Sequence, residues 1–452
     1  MWAESEIRYM NFNDSRLKKR FEKILDVFTE QPTASIPEAC QTNAATKGTY
    51  RFFSNNCVEA NEIRKGFREA TIERIKQQPR NSLILIISDA TNIVFTSHKK
   101  LKGIGVLRNQ KARGLNLHST LVATPEELVL GCIHQDCWGR KEEDYGKRIQ
   151  RKSLPIEQKE SYRWLVSFRD AQRALPENMQ GLFLADRGAD LYDIFLEPRS
   201  SSMNLLIRAA HNRKSYDTSQ KIFEELELSD PAGIMQVNVG RSGERKERMA
   251  EVEIRFKEVT IAPPKNKKHL SPITLNIISA QEVCSGGTID PIHWKLLTTL
   301  KIDSFESAMN AVKIYAKRWI IERFHYALKQ GCKIEELQLE EAERINKAIA
   351  TYTIVAWRIM YITYLARVAP DISCTTVFSD EEWKALYCYV NKTSSPPKKP
   401  PSIKEAVILL AKSGGFLARK RDGDPGIKVI WRGLRILDNT SKMYCILRKT
   451  CG

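Results

Sequence analysis

The chain has 452 residues, of which 42% are hydrophobic, so it can bury a large core, and its length predicts about two to four domains. Its 72 Lys and Arg residues against 54 Asp and Glu give a net charge of +18, which favours a polyanionic partner such as nucleic acid. Global disorder is excluded, and the apolar stretch 348–369, interrupted by Arg358 and Arg367, predicts a buried helix rather than a membrane span.

The cysteines and the N-terminus indicate the compartment. The ten cysteines contain no CxxC pair, so they predict reduced packing residues rather than a zinc site or a disulfide framework. The first residues, MWAESEIRYMNF, lack the charged and apolar regions of a secretion signal. We therefore expect a cytoplasmic protein with no membrane partner.

Residues 1–70 predict a small basic helical domain. Ser15 is expected to cap a helix over residues 16–28. Two further helices are expected on either side of a turn at Asn55 and Asn56.

Residues 71–370 predict an α/β domain. The run LILIIS, which leads to Asp89, suits a strand buried on both faces. The segments NIVFTS, GLNLHSTLVAT and LVLGCIHQ then predict an antiparallel meander, followed by a helix over about 155–174. A second buried run, GLFLA, leads to Asp186. The order strand, meander, helix, strand is typical of α/β folds.

The second half of the chain predicts a β insertion followed by helices. Residues 203–300 are β-rich and carry basic loops at 240–248 and 264–270. A long helix is expected over 305–330, capped by Asp303 or Ser304 and ended by Gly331, and a second over 340–368. A helical domain over 371–452 closes the chain, and the Pro- and Ser-rich stretch 391–402 within it predicts an extended linker or loop.

Three acidic residues are candidate catalytic groups. Asp89 and Asp186 each follow an apolar strand, at the edge where α/β sheets bind ligands, although a single carboxylate there often only caps a turn. Glu322 lies on the predicted long helix. At 100° per residue it falls within a 60° arc with the polar side chains of Tyr315, Arg318 and Lys329.

This polar stripe has two interpretations. Arg318 and Glu322 can form an i,i+4 pair on a solvated face, which stabilises a helix by only about 0.2–0.5 kcal/mol. Alternatively, three carboxylates from two strands and a helix can hold two hard divalent ions that activate the attacking and leaving oxygens of a phosphodiester. The buried strands before both aspartates favour the second interpretation, which is nuclease or strand-transfer chemistry.

These residues carry a family resemblance. The motif ADRGAD at 185–190 and the spacing Tyr315-x2-Arg318-x3-Glu322-x6-Lys329 resemble the DDE cut-and-paste transposases of the insertion sequence four family, in its transposon five branch. GTYRFF, GLNLHSTL, HQDCW and AKSGGFLARKRDGDPG extend the resemblance over nearly the whole chain. It implies a ribonuclease-H-like catalytic core with an inserted β-subdomain, flanked by helical N-terminal and C-terminal domains.

The resemblance also implies roles for single residues. Asp89, Asp186 and Glu322 would hold two Mg²⁺ ions, with Mn²⁺ as a substitute. The remaining expected roles are contacts to DNA. Tyr315, Arg318 and Lys329 would contact phosphates, and Trp294 and Trp319 would lie beside a flipped base. Arg51 and Arg113 would make further DNA contacts. Burial in a strand is the alternative for Trp294, and packing on the helix is the alternative for Trp319.

The implied function is that of a DNA transposase. Such an enzyme binds the inverted repeats at its element's ends as a homodimer, cuts them through a hairpin intermediate and joins the free 3′ ends to target DNA. One alternative is a ribonuclease-H-like nuclease without strand transfer, which would need neither terminal domain. Another is a DNA-binding regulator derived from a transposase, against which the intact set of acidic and basic residues argues.

Overall fold

The computed structural model describes residues 2–107, 112–144, 154–239, 247–284 and 290–450. Most of the basic loop expected at 240–248 lies outside these residues. The chain divides into two compact units. Unit 1 contains Met1–Gln78, Ala90–Ile149 and Ile320–Gly452, and unit 2 contains Pro79–Asp89 and Gln150–Trp319.

The described residues form ten strands and fourteen α-helices. The strands are β1 (Leu83–Val94), β2 (Gly105–Val106), β3 (Arg113–Ala123), β4 (Val129–Trp138), β5 (Gln180–Ala185), β6 (Met203–Arg208), β7 (Gly233–Val239), β8 (Arg248–Ile261), β9 (Ile273–Glu282) and β10 (His293–Thr298). The helices are α1 (Trp2–Ile7), α2 (Ser15–Glu30), α3 (Ile36–Cys40), α4 (Asn43–Ser54), α5 (Ala60–Lys76), α6 (Tyr162–Ala174), α7 (Tyr192–Leu196), α8 (Ile222–Glu227), α9 (Phe305–Ala316), α10 (Trp319–Tyr326), α11 (Ala342–Val368), α12 (Asp380–Asn391), α13 (Ile403–Ser413) and α14 (Ile427–Thr450).

Unit 2 is built on a mixed sheet in the order β1-β5-β6-β10-β9-β8-β7. β1, β5 and β6 run parallel, and β10, β9, β8 and β7 continue the sheet by antiparallel pairing. β6, at the start of the β-rich stretch, thus belongs to the parallel part. On α6, the Phe168 ring meets Phe183 of β5 edge-on at 5.3 Å. Apolar strands flanked by helices are what the sequence predicted, and the α/β fold class is confirmed.

β1 is one continuous strand, which corrects the prediction of two. Its polar middle, from Asp89 to Asn92, has the composition of a turn but remains extended. The later part pairs beside β3, where the Phe95 amide donates to the Arg113 carbonyl at 2.8 Å. A Cβ at position 114 would lie 2.0 Å from the Ile93 carbonyl oxygen, so only glycine permits this close approach. Asp89 is therefore inside a strand rather than at its end.

Two predicted helix boundaries are also corrected, and a third is confirmed. Asp14, not Ser15, caps α2, since its carboxylate accepts from the Arg16 amide at 2.8 Å and suits the positive end of the helix dipole. The helix expected over about 155–174 begins at Tyr162, after a short 3₁₀ turn at Ile156–Gln158. Ser304 caps α9 as one of the two expected candidates.

The long helix expected over 305–330 is interrupted. α9 ends at Ala316, and the amides of Lys317 and Arg318 bond back only three residues, to Ile314 and Tyr315. α10 then begins at Trp319 and passes into a π turn at Ala327–Gly331. The predicted polar stripe does not lie on one regular helix.

Unit 1 packs helices and the β2-β3-β4 strands around α11. By length and composition α11 could cross a membrane, but 94% of its most apolar window is buried among the unit's other elements. Its Tyr352 stacks on Phe28 of α2 at 4.7 Å, and the Trp357 indole donates to the Val129 carbonyl of β4 at 2.9 Å. The prediction of a buried core helix is confirmed.

Candidate active site

The register of two parallel strands brings Asp89 and Asp186 together in unit 2. The pairing of β1 with β5 ends at Ser88 opposite Ala185, and each aspartate is the next residue along the chain, Asp89 within β1 and Asp186 directly after β5. Neighbouring strands lie about 4.8 Å apart, and residues in register point to the same face. Both aspartates are partly exposed, whereas the residues before them are buried. The sheet thus presents two adjacent carboxylates at the point where its parallel pairing stops.

The turn after β5 gives its two aspartates different environments. Asp186 Oδ1 accepts from the Gly188 amide at 2.8 Å, which is the turn-capping bond of the simpler interpretation. Asp190 is 2% exposed; its Oδ2 accepts from the Ala210 amide at 2.6 Å and its Oδ1 pairs with Arg213 at 2.6 Å. Asp190 thereby ties this turn to the segment after β6 and leaves Asp186 at the open edge.

Arg318 lies outside the regular helices and forms an ion pair with Asp89. Its Nη1 lies 3.0 Å from Asp89 Oδ2, and each side chain is 16% exposed. The turn between α9 and α10 carries this guanidinium to the first aspartate. A positive group is therefore held beside a carboxylate that was expected to bind metal.

Tyr315 and Trp294 lie together next to this pair. Tyr315 is 3% exposed on α9, and burial raises the pKa of its hydroxyl to about 12, so it stays a neutral donor near pH 7. Arg318 donates a hydrogen bond to that hydroxyl and opposes the rise. The Trp294 ring, at the start of β10, meets Tyr315 edge-on with centroids 5.2 Å apart. Trp294 is partly exposed, so it is not enclosed in the strand core.

Arg208 is a member of this group that the sequence analysis missed. It ends β6, and its Nη2 donates to the His293 carbonyl at 3.0 Å. Burial lowers the pKa of Arg208, and the nearby charges of Arg187 and Arg318 lower it further. Its position at the carboxyl end of a third parallel strand, NLLIR, was the signal that could have revealed it.

Glu322 and Lys329 belong to unit 1, and Trp319 is the last residue of unit 2. Glu322 is partly exposed in the first turn of α10, and Trp319, which begins that helix, is 48% exposed rather than packed. Lys329 lies on the π turn, where its Nζ donates to the Asn92 carbonyl at 2.9 Å and pairs with Glu335 at 3.3 Å.

The two arginines expected to contact DNA lie on the surface of unit 1. Arg51 is exposed on α4 and lines an open groove of ≈ 370 Å³ between α2 and α4, with Arg16 and Arg20 on the opposite wall. Arg113, at the start of β3, pairs with Glu142 at 3.0 Å, and its side chain is 54% exposed.

The donor atoms at the two aspartates fit a hard divalent cation. Carboxylate oxygens are the protein ligands that Mg²⁺ and Mn²⁺ prefer, and the chain supplies two carboxylates, each one residue after the last paired position of β1 and β5. Across the described ranges, no three His, Cys, Asp or Glu side chains are grouped so as to hold a metal ion. The paired strands thus bring Asp89 and Asp186 to the same part of the sheet, while the metal-binding roles of Asp89, Asp186 and Glu322 stay predictions.

Comparison with known families accounts for most of the chain. A family model described as transposase DNA-binding matches residues 1–58, and one described as transposase DDE domain matches 167–358. A third, described as transposase Tn5 dimerisation domain, matches 354–442. Asp186 and Glu322 fall inside the DDE match, and Asp89 precedes it.

These matches establish the general activity. The protein is a DNA transposase with a ribonuclease-H-like catalytic domain, a DNA-binding domain before it and a dimerisation domain after it. A DDE domain uses divalent metal, and the two flanking domains indicate DNA and a second copy of the chain as partners. The chain belongs to the Tn5-like DDE transposases of the insertion sequence four family.

Proposed function

We propose that this protein excises its own element through a hairpin intermediate and joins the freed 3′ ends to target DNA. Asp89, Asp186 and Glu322 hold two Mg²⁺ ions in this proposal, and Mn²⁺ can replace them. The substrates are double-stranded inverted repeats held by a homodimer, and the protein works in the cytoplasm at the nucleoid. The observation that carries the proposal is the register of Asp89 and Asp186 beside Arg318 and Tyr315.

The residues around the aspartates are suited to a phosphodiester. Arg318 and Arg208 present guanidinium forks, which can grip phosphate oxygens in pairs, and Tyr315 adds a neutral hydroxyl donor. Bound divalent ions would activate the attacking oxygen and stabilise the leaving oxygen. Because in-line phosphoryl transfer depends mostly on positioning and charge neutralisation, this polar group is the main catalytic contribution of the chain.

Trp294 supports the hairpin step of the proposal. Closing a hairpin strains the terminal nucleotides, and flipping a base out of the stack relieves that strain. An exposed aromatic face can recover about 1–3 kcal/mol by stacking on a base. Trp294 is partly exposed and contacts Tyr315, so a base stacked on Trp294 would be adjacent to the proposed phosphate contact of Tyr315. Trp319, 48% exposed, is proposed as a second base contact.

The proposal is tested with the inverted repeats that flank the gene. Purified protein is incubated with an end duplex and Mg²⁺, and the products are resolved on a denaturing gel over time; a supercoiled plasmid is then added as target. Nicked strands, then hairpins, then joined products are expected. Trp294→Ala should accumulate nicked DNA. Cut but unjoined ends would indicate a nuclease, and binding without cutting would indicate a regulator. Asp186→Asn is the inactive control.

A further inference from the structure

The turn that carries Lys329 has an uncommon backbone. The Cys332 amide bonds back five residues to the Ala327 carbonyl at 2.8 Å, which closes a π turn over Ala327–Gly331. Such turns occur mostly as single insertions in α-helices and are frequent at functional sites. Because its hydrogen bonding is less favourable than that of an α-helix, the turn needs support from its surroundings.

That support comes from Trp431 on α14. The indole is 4% exposed and packs on both ends of the turn. Before the turn, the Tyr326 ring lies 5.5 Å from it, centroid to centroid. At its end, a Cβ on Gly331 would lie 2.7 Å from Trp431 Cε3, so glycine is required for the indole to approach this closely.

The other side of the turn is held through Lys329 itself. Its Nζ donates to the Asn92 carbonyl at 2.9 Å and pairs with Glu335 Oε1 at 3.3 Å. Glu335 in turn accepts from the Val94 amide at 2.8 Å. The ammonium group is thus fixed against the later part of β1, provided that the turn beneath it keeps its shape.

We propose that Trp431 is a positioning residue for Lys329. By packing on Tyr326 and Gly331, the indole sets the π turn and therefore where the ammonium group lies. Trp431 falls within the match to the dimerisation domain, whereas Lys329 falls within the match to the DDE domain. A residue of the dimerisation domain therefore supports a phosphate contact of the catalytic domain. The inference rests on the proposed role of Lys329.

A double-mutant cycle tests the inference. Trp431→Ala, Lys329→Ala and the double variant are assembled as full chains with end DNA, and single-turnover cleavage by the purified paired-end complex is measured. Trp431→Ala should slow cleavage about tenfold while the dissociation constant for end DNA changes less than about threefold. In the Lys329→Ala background it should slow cleavage less than about twofold, because its effect passes through that lysine. Trp431→Phe should restore most of the rate.

Two further variants keep the result decisive. Trp383, on α12 in the same dimerisation match, is 2% exposed and serves as the matched control. The reductions in cleavage rate caused by Trp383→Ala and Lys329→Ala should multiply in the double variant, because the two residues act independently. Gly331→Ala displaces the indole without removing it. If Trp431→Ala does not fold, Gly331→Ala takes its place in the double-mutant cycle.

The outcomes separate the two proposals. If the reduction in cleavage rate caused by Trp431→Ala or Gly331→Ala multiplies with that caused by Lys329→Ala in the double variant, Trp431 only stabilises the fold. The inference is then overturned. If Lys329→Ala alone cleaves at the wild-type rate, the proposed phosphate contact of Lys329 is wrong, and the inference that depends on it is overturned with it.

Discussion

Arg318 forms an ion pair with Asp89, 3.0 Å from Nη1 to Oδ2. The guanidinium therefore competes with any cation for this carboxylate. We predict that Arg318→Ala binds Mn²⁺ several-fold more tightly without DNA, yet cleaves end DNA far more slowly because a phosphate contact is lost. Electron paramagnetic resonance titration of free Mn²⁺ measures the first effect. Unchanged or weaker Mn²⁺ binding would show that the pair does not restrain the metal site.

The carboxylates should be required for cutting and not for binding. Asp186→Asn and Glu322→Gln keep the size of each side chain but remove its charge, so each should abolish Mg²⁺-dependent cleavage and leave end binding within about threefold. Cleavage assays and gel-shift titrations of the same preparations measure both. Substantial cutting by either variant would remove that residue from the catalytic set.

Arg51 should contribute to binding through a phosphate. It lines the groove between α2 and α4 with two other arginines, in the part of the chain matched by the DNA-binding family. The association constant for end DNA falls as the salt concentration rises, and each neutralised phosphate steepens the fall on a log–log plot by about one. We therefore expect Arg51→Ala to make this slope about one unit less negative. Arg173→Ala, which removes an exposed arginine of unit 2, is the control and should leave the slope unchanged.

Asp190 should matter for stability. It is 2% exposed and pairs with Arg213, so its removal takes the carboxylate partner from a largely buried guanidinium and the acceptor from two backbone amides. Asp190→Ala is expected to lower the free energy of unfolding by about 3–5 kcal/mol, measured by urea denaturation. Asp303→Ala, which breaks an exposed pair with Lys301, should cost less than about 1 kcal/mol. Equal losses in both variants would contradict the structural role of Asp190.

Glu30 should make stability depend on pH. Burial and the neighbouring Asp438 raise the pKa of Glu30 from 4.5 to about 7, against the opposing pull of Lys442. The folded state therefore binds a proton that the unfolded chain has lost between pH 4.5 and about 7, so stability falls as pH rises through this window and is flat above it. Glu30→Gln should reduce that fall.

The expected size of this pH effect is small. The Glu30 side chain is 41% exposed, so we expect a difference of less than about 1 kcal/mol between the variant and the wild type across the window. Asp26→Asn is a useful comparison, because burial raises the pKa of Asp26 to about 6 and its effect should end at lower pH. If the free energy of unfolding changes with pH in the same way for Glu30→Gln and the wild type, the assignment to Glu30 is refuted.

Sequence patterns predicted the elements whose cause is local. Buried apolar runs identified β1 and β5, and the adjacent aspartates followed from strand order. The break after Ala316 could not be predicted in this way, because the segment AKRW has no glycine or proline and suits a helix. Arg318 in that break pairs with a residue 229 positions away, and periodicity carries no information about such a contact.

The same reason explains the two other gaps in the prediction. β1 continues through a polar segment because it pairs beside β3, which hydropathy alone does not show. Arg208 joins the site because β6 adds to the parallel sheet next to β5. The sequence pattern assigns β6 to the β insertion, and a strand of the insertion does not predict a residue at the edge of the parallel sheet.

The register between β1 and β5 also limits how this gene can change length. Successive residues of a strand face opposite sides, so deleting or inserting one codon between Leu83 and Ser88 would turn Asp89 away from Asp186 unless the strand also slipped by one residue against β5. The loop between β3 and β4, at residues 124–128, has no such constraint. Among descendants of this element, we expect insertions and deletions to accumulate in that loop, while the six codons before Asp89 change only by substitution.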